Sequence, residues 1–434
     1  MLILLIFLSI LALVLLISWV KLDTFISFLL VSIGLGFAVG LSVPQISSAV
    51  QKGIAGTLGD LVMIVGFGAM LGKLVADSGA AQRITDALIK VFGEKYMLWG
   101  LALAGFVIGI PLFYNAGFMI VLPLIFMIAA TTRVPMLMIA IPMCAALSVA
   151  HGYLPPHPSP AAIASQLQAD IGKTLFYGIL VSIPAIAIAG PIFGKTLGRF
   201  KPSPDTTLFN LTPKPTSELP GLTISIVTAL LPVFLLVSMA PVKNLFPGNP
   251  VLELLAEPWF GMLISVLFAA WVLGIRRGAS MKQITKSFEE AFKGVAAILL
   301  IVAGAGVFKQ MMTEGQINAY LGDLLADLNA PPLVLSWGIA AVIRVCVGSA
   351  TVAGLTTVGI LAPLLQSSAV SPELTVLAIG SGSLMFSHVN DGGFWLFKEY
   401  FNVTIKETIL TWSLMETIVS VVGLLGVLLL NMFI

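Results

Sequence analysis

Residues 66–79, GFGAMLGKLVADSG, return 236 residues later as AGAGVFKQMMTEG over residues 303–315. Gly68/Gly304, Ala69/Ala305, Lys73/Lys309 and Gly79/Gly315 fall in one register. Small residues and lone lysines do not substitute for leucine in an oily stretch, so the echo reads as duplication. The residues just beyond each copy agree. After Gly79, AAQRITDALIKVF sets Ile84, Leu88 and Val91 on one helical face and Arg83, Asp86 and Lys90 on the other. After Gly315, QINAYLGDLLADL sets Ile317, Tyr320, Leu321, Leu324, Leu325 and Leu328 opposite Asp323 and Asp327. Both read as short amphipathic helices in a membrane interface. Duplicated halves are a mark of secondary transporters, whose substrate site lies at the bilayer midplane between repeats.

Lipid is the solvent implied by the composition, which is 58% hydrophobic and only 10% charged. Uncharged runs at 2–20, 96–132, 174–194, 219–242, 258–275 and 345–372 are each long enough to cross a hydrocarbon core of about 30 Å. The reading predicts about ten to fourteen spanning or partly spanning segments. The first run has no basic n-region and no small-residue cleavage site, so it is expected to stay as a helix. Lys21 on its far side points by the positive-inside rule to an outside N-terminus. The organisation expected is a repeat at 1–200, a cytoplasmic inter-repeat linker at 201–220 and a second repeat at 221–434. Arg276, Arg277, Lys282 and Lys286 form a second basic loop, two spans beyond the linker and so on the same side.

Soluble-enzyme chemistry has no foothold. No phosphate-cradling loop, catalytic triad or metal-ligand spacing appears. Cys144 and Cys346 read as buried structural thiols. The cations are spread over loops rather than clustered on a face, which argues against a nucleic-acid partner.

Each half carries a run apolar enough for the membrane but unsuited to an unbroken helix: IGIPLFYNAGFMIVLP at 108–123 and VGSATVAGLTTVGILAP at 347–363. Unwound backbone inside a bilayer persists only where protein buries it or water reaches it, so the two breaks form the leading candidate site. Half-helix N-termini present free N–H groups and a positive dipole end, which favours an anionic guest. Arg344 adds a full charge just before the second break. Two later clusters, AHGYLPPHPSPAAIA at 150–164 and SHVNDGGFWLFKEYF at 387–401, hold His151, His157 and His388, the three histidines of the chain, together with Asn390 and Asp391. The prolines of the first cluster are expected to exclude a regular helix there. An intramembrane acid is costly and by default marks an ion or substrate pathway. Histidine titrates near neutrality, although each could equally cap a broken helix by hydrogen bonding.

LGDLVMIVGFGAMLGKLVADSG, ALSVAHGYLPPHPSPAAIA, VGSATVAGLTTVGILAP and SHVNDGGFWLFKEYF closely resemble the gluconate permease family of bacterial inner-membrane transporters. The likeness runs from the first helix to the last, ETIVSVVGLLGVLLLNMFI. It implies an all-α polytopic membrane protein with two inverted-topology repeats, broken helices and re-entrant hairpins, working as a homodimer. It also implies proton-coupled uptake of gluconate or a related small hydroxy acid, with the proton as coupling ion and no cofactor or metal. One departure stands out: Asn115 in PLFYNAGF occupies a position where relatives often carry Glu or Asp, and an amide cannot titrate.

The expected substrate-binding residues are Tyr114, Asn115, Gly117, His151, Pro156, His157, Arg344, Gly348, Ser349, Thr351 and Asn390. Asp391, His151 and His388 are expected to carry the proton. A sodium-coupled carboxylate carrier is the nearest alternative, since broken helices offer carbonyls to sodium as readily as N–H groups to anions. A membrane-embedded enzyme using the histidines and Asp391 would need a convergent nucleophile or metal, and the polar residues are dispersed.

Overall fold

The computed structural model describes residues 2–132, 134–200, 202, 214–246, 248–316, 331–365, 370–389 and 391–434. Their regular structure is helical throughout. The helices of the first half are α1 (Leu2–Val14), α2 (Thr24–Ala38), α3 (Val43–Ser78), α4 (Ala80–Gly109), α5 (Tyr114–Thr132), α6 (Met136–Tyr153), α7 (Pro158–Leu167) and α8 (Ile171–Ala187). The second half has α9 (Leu222–Leu245), α10 (Pro250–Ala256), α11 (Pro258–Ala269), α12 (Met281–Glu314), α13 (Pro332–Val347), α14 (Ala350–Leu365), α15 (Pro372–Gly382), α16 (Gly392–Phe401), α17 (Ile405–Thr408) and α18 (Leu414–Leu430). Short π-helical turns extend α1, α8 and α11 and join α17 to α18.

Six helical segments are long and apolar enough to cross a membrane, and five shorter apolar helices accompany them among the described residues. Large apolar side chains such as Phe7, Phe37, Phe234, Leu267 and Leu425 lie exposed on the outer surface, where lipid rather than water is the medium their sequence demands.

Local chemistry sets the ends of these helices. Pro occupies the first turn of α3, α7, α10, α11, α13 and α15, where its missing N–H costs nothing. Ser280 and Gln283 close a capping box on α12, and Ser42 and Gln45 do so on α3. Gly79 and Gly348, both at φ 80°, end α3 and α13 in the left-handed region that side chains avoid.

Packing pairs recur when the halves are exchanged. The longest interface joins α3 to α12, the two helices that carry the echoed segments. They run antiparallel: Gly53 faces Val307, Gly66 faces Phe292, and Asp77 reaches Ser287. α2 packs on α12 as α11 packs on α3, and α4 packs on α6 as α13 packs on α15. α7 packs on α14, while Phe118 of α5 meets Phe401 of α16 at a ring separation of 6.2 Å.

Gly105 sits against Met143 and Ala146, and Gly109 against Leu147 and Ala150, so the end of α4 and α6 run in the same direction. α5 must therefore run back between them, which makes residues 110–113 the tip of a helical hairpin. Gly348–Ser349 is the corresponding turn between α13 and α14. Residues 154–157 and 383–389 interrupt the segments that follow each hairpin.

Two expectations from the sequence are corrected by the fold. Pro158 and Pro160 do not exclude helix; they sit in the first turn of α7, where proline is tolerated. In the first amphipathic stretch Ile84 is buried and Val91 is 79% exposed, two residues before the helix kinks at Gly93. Cys144 is buried as expected, but Cys346 lies exposed on the outer side of α13. The second amphipathic stretch, 316–328, lies almost wholly outside the described residues, as does most of the linker at 201–220.

Candidate functional site

A cavity of about 1040 Å³ opens where the broken segments converge. Its walls come from the α4–α5 tip (Pro111, Leu112, Phe113, Tyr114), the end of α6 (Ser148, His151), the α13–α14 tip (Arg344 and residues 347–351), the start of α16 (residues 391–393), the π-helical turn before α18 (Trp412) and the first turn of α18 (Glu416). Close approach of the backbone is built in. A Cβ on Gly72 of α3 would strike the Pro111 carbonyl, and one on Gly380 of α15 would strike that of Gly152.

Arg344 is the charged anchor at depth. It stands in the last turn of α13, where a cation complements the negative end of the helix dipole. One guanidinium nitrogen donates to the Gly348 carbonyl that closes the turn. The other donates to Asp391 Oδ2 at 2.5 Å, in an ion pair whose side chains are 4% and 16% exposed. Asp391 is itself the N-cap of α16, its Oδ1 accepting from the Gly393 N–H at 3.0 Å. Ser387 Oγ donates to Asp391 Oδ2 and accepts from Trp412 Nε1 at 2.8 Å. A carboxylate with three donors, one of them a buried cation, is well compensated as an anion.

Beside this pair the α14 N-terminus faces the cavity through Ser349, Ala350 and Thr351. Tyr114 also lines the cavity, its ring tilted against those of Trp412 and His151 at separations of 5.6 and 6.4 Å. Glu416 closes the deep end. Ser148 Oγ donates to its Oε1 at 2.6 Å, while its Oε2 has no hydrogen-bond partner. At the mouth Lys73 pairs with Asp77 at 3.0 Å and with Glu290 at 3.3 Å, all three partly exposed. Lys214 of the linker donates to the Asp77 carbonyl, and Arg277 reaches the Ser78 and Glu218 carbonyls. The mouth therefore opens on the face that carries the basic loops.

Of the residues expected at the site, Tyr114, His151, Arg344, Gly348, Ser349, Thr351 and Asp391 line the cavity together. Gly117 is buried against Leu147 and supports the hairpin instead of lining it. His157 stands behind His151, rings 5.4 Å apart, with Nε2 2.8 Å from the Gly109 carbonyl at the break. His388 does the same in the other half, its Nε2 2.9 Å from the Val345 carbonyl, away from the lining. Pro156 forms a cis bond with Pro155 and packs near Gly68. Asn390 lies outside the described residues, and Asn115 is placed in the first turn of α5 with its side chain outside them.

Glu416, Ser148 and Trp412 were not singled out in the sequence. A signal existed for one of them: Glu416 is the single charge in the last 26 residues, 409–434. The echoed lysines also diverge, since Lys73 reaches the cavity mouth while Lys309 is tucked against the Gln166 carbonyl at 2.8 Å.

Comparison with known proteins places this chain in a family. The sequence matches the family described as GntP family permease over residues 1–433. It is 47% identical to a high-affinity gluconate transporter of Escherichia coli K12 across 95% of each chain. Identity is 43% with the Gnt-II system L-idonate transporter of the same strain, across 95% of this chain and 94% of that one. It is 44% with the gluconate permease of Bacillus subtilis 168, across 98% of each. Among solved structures, the Alcanivorax borkumensis YdaH transporter aligns with a TM-score of 0.68 at 17% identity, covering 94% of this chain and 97% of that one. Neisseria gonorrhoeae MtrF aligns at 0.60 and 14% identity, covering 88% and 84%. These two likenesses speak to the fold alone. The named relatives are transporters and permeases, not enzymes.

Proposed function

Since the chain belongs to the GntP family of permeases, we propose that it takes up gluconate or a closely related sugar acid by proton-coupled alternating access across a bacterial inner membrane. The observation that carries this reading is Arg344, a buried cation at the end of a cavity lined by hydroxyls and a helix N-terminus. A carboxylate needs charge-assisted donors, and Arg344 with the N-terminal turn of α14 supplies them side by side. Polyol hydroxyls need neutral donors and acceptors, which Ser349, Thr351, Ser148 and His151 offer along the same walls. Asn115 and Asn390 are proposed to add amide contacts.

The mouth lies on the face of Lys214, Arg276 and Arg277, so the cavity corresponds to an inward-open carrier if the basic loops are cytoplasmic. The antiparallel α3–α12 pair and the exchanged packing contacts support an inverted-repeat frame with boundaries near 200 and 221. One hairpin from each half would move against that frame, in a homodimer held by the lipid-facing scaffold. Asp391 and His151 face the cavity and are proposed to take part in proton coupling as neighbours of the group that binds the proton, with His388 held back on its hairpin carbonyl.

Proteoliposomes test the reading. Radiolabelled gluconate should accumulate under an inward proton gradient without sodium, and L-idonate should compete. Accumulation that ignores the proton gradient and requires sodium would mark the sodium-coupled carboxylate carrier instead.

A further inference from the structure

The carboxyl groups at the depth of the cavity are compensated very unequally. Asp391 faces Arg344, the Ser387 hydroxyl and the Gly393 N–H. Glu416 is 2% exposed, takes one hydrogen bond from Ser148, and leaves Oε2 unpaired. Its other polar neighbours are Tyr114 on α5, Cys144, Tyr153 and, one turn from Ser148, His151 on α6, Arg344 on α13 and Asp391 at the head of α16. Tyr153 spends its hydroxyl on the Val419 carbonyl at 2.6 Å, and Arg344 spends its terminal nitrogens on Asp391 and Gly348. No cation touches Glu416 among the described residues, so Arg344 acts on it only through space.

This arrangement conflicts with an anionic guest. The described deep groups hold one cation and two acids, and a carboxylate substrate adds a third negative charge around Arg344. A buried charge with no partner is among the costliest arrangements a protein can hold.

Resting on the proposed transport of a sugar acid, the geometry points to Glu416 as the site that takes up the co-transported proton. Substrate binding at Arg344 cancels the positive potential that favours the Glu416 carboxylate. The carboxylate then accepts one proton from the open side, becoming neutral, and returns it when the substrate leaves on the other. Coupling is reciprocal, so the proton strengthens substrate binding by the factor by which substrate strengthens proton binding.

Calorimetric titration of the purified full-length protein with gluconate, in two buffers of different ionisation enthalpy, counts protons taken up per molecule bound. The wild type should take up close to one, and its Kd should rise about tenfold per pH unit on the alkaline side. Glu416→Gln should bind gluconate with near-zero uptake and a flat pH profile. In vesicles it should exchange labelled for unlabelled gluconate yet fail to accumulate it against a gradient. Glu416→Asp, which keeps an acid, should retain an uptake near one. A Gln variant that still takes up a proton overturns the assignment, as does loss of proton uptake in Asp391→Asn with retention in Glu416→Gln. If the Gln variant does not bind, the Asp variant decides: binding without proton uptake overturns the assignment, and uptake near one sustains it. A wild type that binds gluconate without taking up protons sinks the coupled-transport reading itself, whereas a wild type that behaves as expected beside a proton-binding Gln variant sinks only Glu416.

Discussion

Arg344 does two jobs with one side chain: it closes the α13 turn through Gly348 and neutralises Asp391 across the cavity. Removing one member of a buried pair strands the other, at a cost of about 3–5 kcal/mol. Arg344→Gln is therefore expected to lose gluconate affinity by more than about a hundredfold and to lower the melting temperature in detergent. Adding Asp391→Asn should recover much of the stability but not the affinity, a non-additivity that a double-mutant cycle reads directly. His157 belongs to a different class. Its ring holds the Gly109 carbonyl, so His157→Phe should lose about 1–3 kcal/mol of stability by orphaning that acceptor, with gluconate affinity almost unchanged in the same titration. In the sequence the two histidine roles stand side by side, because a titrating imidazole and a capping one need the same residue in the same break. The folded chain sets a ring nitrogen of His157 and of His388 within hydrogen-bond distance of a carbonyl at a break.

Among the helices, the breaks supply much of the cavity wall. Pro111, the turn at 154–157 and Gly348 were legible because proline and glycine interrupt an otherwise apolar pattern by simple sterics, and the cluster holding His388 and Asp391 because polar residues gather between apolar segments. The hairpin course of α4–α5 was not legible as geometry, since periodicity carries no direction; it follows from which turns of α4 and α6 meet. Gly348 sits at φ 80° with its backbone in the cavity wall. Gly348→Ala should strain that turn by roughly 1–2 kcal/mol and slow uptake at unchanged expression, while Gly348→Asn, which tolerates the left-handed region, should be milder. Gly72→Ala would drive a methyl into the Pro111 carbonyl, and rigid backbone cannot step aside. It should reduce transport more than Gly56→Ala, where a methyl meets open space on the same helix.

Across the molecule, the mouth and the basic loops share one face, which fixes the accessibility expected of the resting carrier. With Cys144 and Cys346 replaced, Glu290→Cys at the mouth should react with a membrane-impermeant maleimide in inside-out vesicles and not in right-side-out ones. Saturating gluconate should slow the reaction. Labelling from the periplasmic side alone would reverse the orientation. Hydropathy and proline chemistry are properties of neighbouring residues, and they suffice to make the chain helical, dissolved in lipid and interrupted at defined points. The meeting of three interruptions and two helix ends in one cavity needed the folded chain, as did the pairing of Arg344 with Asp391 and the placing of Glu416 opposite with one partner. Ser148 and Glu416 are 268 residues apart in the chain. The free energy of a buried charge depends on what lies within a few ångströms of it in space, and no local pattern along the sequence encodes that neighbourhood.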